Sequence, residues 1–511
     1  MADSYNEKGA LGHSTSGSKG LDFFTKVVRN SSPDEYIPLF VDSWNEDPTT
    51  CLKIIMNLRD IRSGKGEKKI PIILLFCIKL VKYEIYCVMV KQIVETLGCW
   101  KDLLHICEYT VLYNKPDINN DYELNLFADQ ITKDQCSLAD YPDDPISLAA
   151  KWAPSEKTYY NKKELMLANK LANVMELSPK NYRKILVQLR SKIKIVETYM
   201  AQNRWDLIKF EAIPSKAHLN YRKSFLRDTN SKDIQSTERA NLNDRYKKYL
   251  VDLKNGDKKV NTTGIQPHEL VSKYLKCKAK QCELVEAQWN TIVSKTKEFG
   301  TFEKTMAIVD VSMSMSGTPM DVAISLGILL ASITSEPFNN KMITFSEDPQ
   351  WHTMDSKHSL YQKVKSVSKM VWGMNTNIEK VFILILDLAK SFGLAQSRMI
   401  ETLFIFTDMQ FDQCSNNSTN MKYIKEMYIT AGYNIPKIIF WNLRSVDVLP
   451  IQQHDENVGM LSGFSEQLLK AVLEGKNITP FNLMNTTIDK YVPNINGSGI
   501  INITSDVISL F

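Results

Sequence analysis

Beyond residue 300, short apolar runs rich in β-branched and aromatic residues alternate with runs whose apolar residues recur every three or four positions. The first kind comprises "TMAIVDV", "KMITFSE", "TLFIFTDM" and "KIIFWNL". The second comprises "PMDVAISLGILLASIT", "LYQKVKSVSKMV", "NIEKVFILILDLAKSFG" and "MKYIKEMYITAGY". Strand, helix, strand, helix predicts an α/β domain with a doubly wound parallel sheet covered on both faces. Such sheets place ligands at the carboxyl ends of their strands. Asp310 closes the first apolar run and Asp408 a later one, so the two are expected to be neighbours across 98 residues of chain. The stretch "VDVSMSMSG" sets Asp310, Ser312, Ser314 and Ser316 at every second position, which turns their oxygens one way. Converging hard oxygens suit a hard cation such as magnesium.

The first 300 residues read differently. Segments such as "DPTTCLKIIMNLRDIRSGKGE", "IPIILLFCIKLVKYE", "IYCVMVKQIVETLG" and "CWKDLLHICEYTVLY" carry helical spacing and are joined by tight turns. They predict an α-helical N-terminal domain, a HEAT-like or irregular solenoid, over 21–300. The Asp/Asn-rich stretch 114–145 reads as a loop or insertion, and a helix is expected around "ANLNDRYKKYLVDLK". Residues 1–20, polar and rich in Gly and Ser, read as a disordered tail and not as a signal peptide. The second domain is then 301–511.

Charge divides the chain at the same place. The first 300 residues carry a balance of +9 and the remainder −4. Residues 180–259 alone hold 20 basic and 9 acidic side chains. Nine cysteines are scattered, several within apolar stretches, and read as reduced core thiols of an intracellular, cytoplasmic protein. No apolar run reaches the roughly 18 residues that span a bilayer. Membrane insertion is therefore not expected.

The basic region supplies the electrostatics that a phosphate backbone requires. Arg183, Lys184, Arg190, Lys192 and Lys194 lie along one expected helix. "KAHLNYRKSFLR" interleaves Tyr221 and Phe225 with Lys216, Arg222, Lys223 and Arg227, where aromatics could stack bases and cations hold phosphates. The plainer reading is a solvated helical face with its aromatics in the core. "GKGEKK" is no nucleotide loop: the first glycine of that pattern is missing and Gly66 stands where Ser or Thr should follow Lys65. A helix stop with a basic turn fits better, and Lys65 in that turn could touch phosphate. Trp100 and Trp152 read as packing residues, and no nucleophile–base pair stands out.

"DVSMS", Thr376 in "WGMNTNIEK" and Asp408 in "FTDMQFD", in that order, resemble a von Willebrand factor A domain with its metal-ion-dependent adhesion site. The resemblance implies that Ser312 and Ser314 ligate a metal through hydroxyls. It also implies that Thr376 contributes directly or through water, and that Asp310 and Asp408 orient bound waters. Mg2+, with Mn2+ or Ca2+ as alternatives, is the implied cofactor. An acidic side chain of a protein partner would complete its coordination. The segments "LRDIRSGKGEKK", "GCWKDLL", "ISLAAKWAPSE", "PSKAHLNY", "QPHELV", "DMQFD" and "FWNLR" with "LSGFS" resemble an uncharacterised family of plants, fungi and large DNA viruses. That family carries domain of unknown function 2828 ahead of an A domain. Its usual metal loop has a glycine where Met313 stands. A virion or infected host cell is thus an alternative setting. More distantly the layout resembles the Ro (TROVE) ribonucleoproteins, which implies small or structured non-coding RNA as a partner.

Three functions follow as expectations. The first is a non-enzymatic scaffold that binds RNA through its helical part and a protein through its metal face. The second is a protein-interaction module without RNA. The third is a metal-dependent phosphoesterase.

Overall fold

The computed structural model describes residues 2–113, 115, 118–155, 166–229, 234, 236–276, 279–345, 349–370, 377–413, 420–475 and 477–495. The chain forms two compact units, neither of them continuous in sequence. One comprises Met1–Asn57, Arg62–Gly66 and Lys259–Val492; the other comprises Leu58–Ile61, Glu67–Lys258 and Pro493–Phe511.

The first unit is built on a sheet. A two-stranded hairpin, β1 (Ser4–Tyr5) and β2 (Leu11–Gly12), precedes it. The main strands are β3 (Thr305–Asp310), β4 (Lys341–Phe345), β5 (Gln350–Thr353), β6 (Thr402–Thr407), β7 (Lys437–Asn442) and β8 (Val458–Ser462). Their spatial order is β5-β4-β3-β6-β7-β8, parallel throughout except for β5 at the edge. The expected wound sheet is therefore present, with all four anticipated strands and the four helices that alternate with them. β5 and β8 were not anticipated. The strand order reverses between β3 and β6, and a sheet of this kind opens a crevice for ligands at that point. Every residue of β3 is buried, as its uninterrupted apolar run requires. The helix Thr318–Ile333 lies close behind it because position 327 is glycine: a Cβ there would collide with the Val309 side chain.

Residues 1–20 do not form the expected disordered tail. His13 exchanges backbone hydrogen bonds with Leu449, donating at 2.9 Å and accepting at 2.8 Å. Ala10 joins the hydrophobic core under the sheet. At Gly12 a Cβ would sit 2.6 Å from Val448 and 2.7 Å from the Leu449 carbonyl, so the small residues that mimic a linker permit close backbone contact. The expected boundary near 300 is also displaced. The helix Lys19–Lys26 packs on β8, and Pro267–Leu275 packs on Thr318–Ile333. These segments belong to the sheet's unit because their apolar faces lie there, which net charge does not report.

The second unit is α-helical, with Ile70–Val81, Tyr83–Gln92, Lys101–Leu112, Asp121–Asp140, Pro179–Ile193, Ser215–Phe225 and Thr237–Asn255 among its longer helices. Asp121–Asp140 corrects the loop expected over 114–145. Leu124, Phe127, Ala128 and Ile131 form a buried stripe at helical spacing, masked by the acidic and amide residues between them. Glu123 is fully buried and pairs with Lys79 at 2.9 Å. No helix among the described residues is long and apolar enough to cross a membrane. The described cysteines are free, and Cys51, Cys77, Cys107 and Cys282 are buried as expected, whereas Cys136 is exposed.

His218 gives this unit an acid limit. Its ring lies against Tyr246 at 5.6 Å and Tyr249 at 5.8 Å, with no exposure and, among the described residues, no hydrogen bond to either nitrogen. Burial pushes the imidazole down to about 4, against the opposing pull of the Glu211 carboxylate. The unfolded chain takes up this proton near pH 6.5 and the folded chain only near 4. The stabilisation is thus complete above 6.5 and is lost as pH falls towards 4, by about 3 kcal/mol. Urea unfolding at pH 7 and pH 4.5 should show a smaller acid loss in His218→Phe than in the wild type. Equal losses would refute the assignment.

Candidate functional site

Parallel pairing of β3 with β6 puts Val309 opposite Phe406, so Asp310 and Thr407 end the two strands side by side. Asp310 is fully buried. Its Oδ2 accepts from the Thr407 hydroxyl at 2.7 Å and its Oδ1 from the Ser312 N–H at 2.9 Å. The second bond folds the loop back over the strand end and leads into a short 3-10 turn, Met313–Met315. There the Ser312 and Ser314 hydroxyls lie 3.0 Å apart. Ser316 turns away, donating to the Met313 carbonyl at 2.6 Å, as a loop-capping residue would.

Asp408 follows β6 directly and is 1% exposed. One carboxylate oxygen accepts from the Gln410 N–H at 3.1 Å, while Oδ2 is buried without a hydrogen-bond partner among the described residues. Burial, and then the charge of Asp408, push the Asp310 carboxyl up to about 7. A buried acid whose ionisation a neighbouring carboxylate disfavours, that neighbour carrying an orphaned oxygen, makes an arrangement that a bound cation relieves. The donor set is two carboxylates and two hydroxyls. Among the described residues no group of three or more His, Cys, Asp or Glu side chains gathers as a metal site, either here or elsewhere. Few carboxylates and neutral oxygens match a hard cation that keeps several waters. Thr376, the remaining implied ligand, lies outside the described residues. Arg444, just beyond β7, donates to the Ser314 carbonyl at 2.5 Å and stands exposed on the rim.

The nucleic-acid candidates separate. Lys65 is wholly buried: its Nζ donates to the Phe24 carbonyl and to Ser462 Oγ at 2.7 Å, and lies 4.3 Å from the centre of the Phe24 ring. It cannot reach a phosphate, and that expectation is withdrawn. Arg190 donates at 2.8 Å to the carbonyls of Ala150 and of Ala153, which makes it an internal brace. Lys192 donates to the Pro142 carbonyl. Phe225 is buried against Phe210 and Tyr246 and offers no face to a base. Tyr221 donates to Glu197 at 3.0 Å. Lys216 and Arg222 are half-buried, whereas Arg183, Lys184, Lys194, Lys223 and Arg227 are exposed.

Two structural assemblies had no reading in the sequence. Arg59 and Asp102 form a buried double contact, Nε to Oδ2 at 2.9 Å and Nη2 to Oδ1 at 3.1 Å. The Cys99 N–H adds a third bond to this carboxylate, at 3.0 Å. Gly98 leaves the space: a Cβ there would collide with Asp102 Oδ2 and lie 3.2 Å from Arg59 Nε. Thus "LRD" and "GCWKD" are complementary halves of one ion pair, a link visible only as opposite charges within apolar surroundings. Likewise "GKGE" meets "LSGFS" through Lys65 and Ser462.

A protein-family model described as a domain of unknown function, DUF2828, matches residues 6–124 and 121–302. A second, DUF7788, also a domain of unknown function, matches residues 304–491. Among curated proteins, the uncharacterized protein L728 of Acanthamoeba polyphaga mimivirus is 43% identical over 505 residues, spanning 96% of this chain and 88% of the viral one. Taken with the helical unit, the wound sheet and the acidic strand ends, these matches show that the chain belongs to the DUF2828 family.

Proposed function

We propose that the sheet-bearing unit is a von Willebrand factor A-type domain that binds an acidic partner group in a divalent-metal-dependent way, within a non-enzymatic scaffold. The observation that carries this reading is the pair Asp310 and Asp408 at the reversal of strand order, with the Asp408 Oδ2 orphaned. Asp310, Asp408, Ser312 and Ser314 are the residues that would hold a cation such as magnesium. Such a cation would supply an electrophilic point for a carboxylate or phosphate oxygen. The chain's own part is to hold the carboxylates in place from buried strand ends and to keep Ser312 and Ser314 paired. Arg444 adds a positive rim.

Thermal unfolding with and without magnesium tests this. A ligand at a hundred times its Kd stabilises by about 2.7 kcal/mol. For units of this size that corresponds to a rise of roughly 5–10 °C in Tm. Asp310→Asn keeps the acceptor for Ser312 and removes one of two repelling charges. It should raise the metal-free stability by about 1–2 kcal/mol and abolish the response to metal. Indifference of the wild type to magnesium, manganese and calcium alike would remove the reading, and so would an equal response in Asp408→Ala.

A second component, RNA binding by the helical unit, is favoured by the exposed cations Arg183, Lys184, Lys194, Lys223 and Arg227. Arg183→Glu with Lys184→Glu should weaken retention of structured RNA. The double variant should also reduce the salt dependence by about 2 in slope. An unchanged binding curve would leave the interaction-module reading standing alone.

A further inference from the structure

At the amino end of the sheet, away from Asp310 and Asp408, a cavity of about 350 Å³ opens between Glu283–Lys297, the end of Thr318–Ile333, the start of β4 and Leu360–Val367. Lys363 projects into it while only 7% exposed. Its Nζ contacts neutral oxygens, Asn340 Oδ1 at 3.2 Å and Ser332 Oγ at 3.4 Å. Among the described residues no carboxylate lies within ion-pair distance of it. A buried ammonium of this kind normally has a counter-charge. Lys297, at the edge of the same cavity, adds a second positive charge. His358 lines it too, with a buried Nδ1 that lacks a hydrogen-bond partner and an Nε2 4.0 Å from Asp355.

The remaining lining mixes polar residues, such as Asn290, Thr334 and Asn339, with the aromatic Trp289. Asn340 accepts from Lys363 through Oδ1, which leaves its Nδ2 as a further donor. Donors on several sides of an ammonium suit a tetrahedral anion with three or more acceptor oxygens better than a flat carboxylate. The volume is of the size that holds a small molecule, so there is room for more than a bare ion.

We propose that this cavity binds a small phosphomonoester, whose phosphate group sits against Lys363, Asn340 and His358 and supplies the counter-charge that Lys363 lacks. The site is separate from the cation site and does not depend on it. The charge balance also accounts for the neutral oxygens that Lys363 Nζ contacts: with Asp355 beyond ion-pair distance, the protein leaves the anionic position next to the ammonium to the ligand.

Isothermal titration of the full chain with inorganic phosphate and with ribose 5-phosphate tests the proposal, with acetate as the flat-anion control. Saturable binding at one site per chain is expected for both phosphates and not for acetate. Lys363→Met should weaken it at least tenfold. Asn340→Asp is the companion variant, because it places a fixed carboxylate beside Lys363 Nζ. Residue 340 has φ +53°, a conformation that aspartate tolerates, and among the described residues the amide Nδ2 it gives up makes no hydrogen bond. Asn340→Asp should fold with undiminished Tm and lose phosphate binding at least tenfold, so the test survives a misfolded Lys363→Met. Asp310→Asn should bind phosphate as the wild type does, which separates failure here from failure of the cation site. Absence of saturable phosphate binding in the wild type, equal binding in Asn340→Asp, or equal binding of acetate would each overturn the proposal.

Discussion

Asp102→Ala is expected to cost the helical unit about 3–5 kcal/mol, because it strands the Arg59 guanidinium in an apolar interior. The carboxylate accepts from Arg59 Nε, Arg59 Nη2 and the Cys99 N–H, and both side chains are at most 5% exposed. Removal of one partner therefore leaves a buried charge and an unpaired backbone donor together. The double variant Arg59→Met with Asp102→Leu removes both charges and should recover most of the loss. Gly98→Ala should approach the single variant in severity, since its Cβ enters the space that the carboxylate occupies. Urea unfolding followed by far-ultraviolet circular dichroism measures all three. An Asp102→Ala cost within the roughly 0.5 kcal/mol of an ordinary surface change would show that the pair carries no such role.

The same pair shows what the sequence can and cannot convey. Strand ends are legible: "TMAIVDV" runs apolar from Met306 to Val309 and "TLFIFTDM" from Leu403 to Phe406, each closing on its aspartate, so Asp310 and Asp408 can be placed together from the sequence. β8 was not legible. "VGMLS" is five residues long and begins beside a turn, and only its pairing with β7 makes it a strand. The helix Asp121–Asp140 was hidden by charge density, although its apolar stripe has regular spacing. Counting cations was blind to burial. Lys65 and Arg190 entered a phosphate-binding set on their charge, yet one lies in a core and the other holds two carbonyls. Composition was equally blind at residues 1–20, where Gly and Ser allow close backbone pairing instead of disorder. In each case a partner elsewhere in the chain decides the role, from 37 residues away for Arg190 to 397 for Lys65, and it leaves no trace in the local sequence.

Lys65 offers the sharpest test of that distinction. Lys65→Ala should destabilise the sheet-bearing unit by about 3–4 kcal/mol, from the lost packing of a fully buried stem and the loss of charge-assisted hydrogen bonds. The Phe24 carbonyl would keep its bond from Ser462 Oγ at 2.7 Å, so the remaining network should stay in register. Lys65→Met keeps the stem and should cost less, about 1–2 kcal/mol. Gly463 has φ +114°, and a Cβ there would lie 3.1 Å from the Lys65 stem. Gly463→Ala therefore carries both backbone strain and a clash, and should be worse than Lys65→Met. Under conditions where Lys65→Ala remains folded, its retention of structured RNA should equal that of the wild type, unlike that of the Arg183 and Lys184 charge reversals. The contrary pattern, weakened RNA retention with an unchanged unfolding curve, would make Lys65 a surface contact and contradict its burial between Phe24 and Ser462.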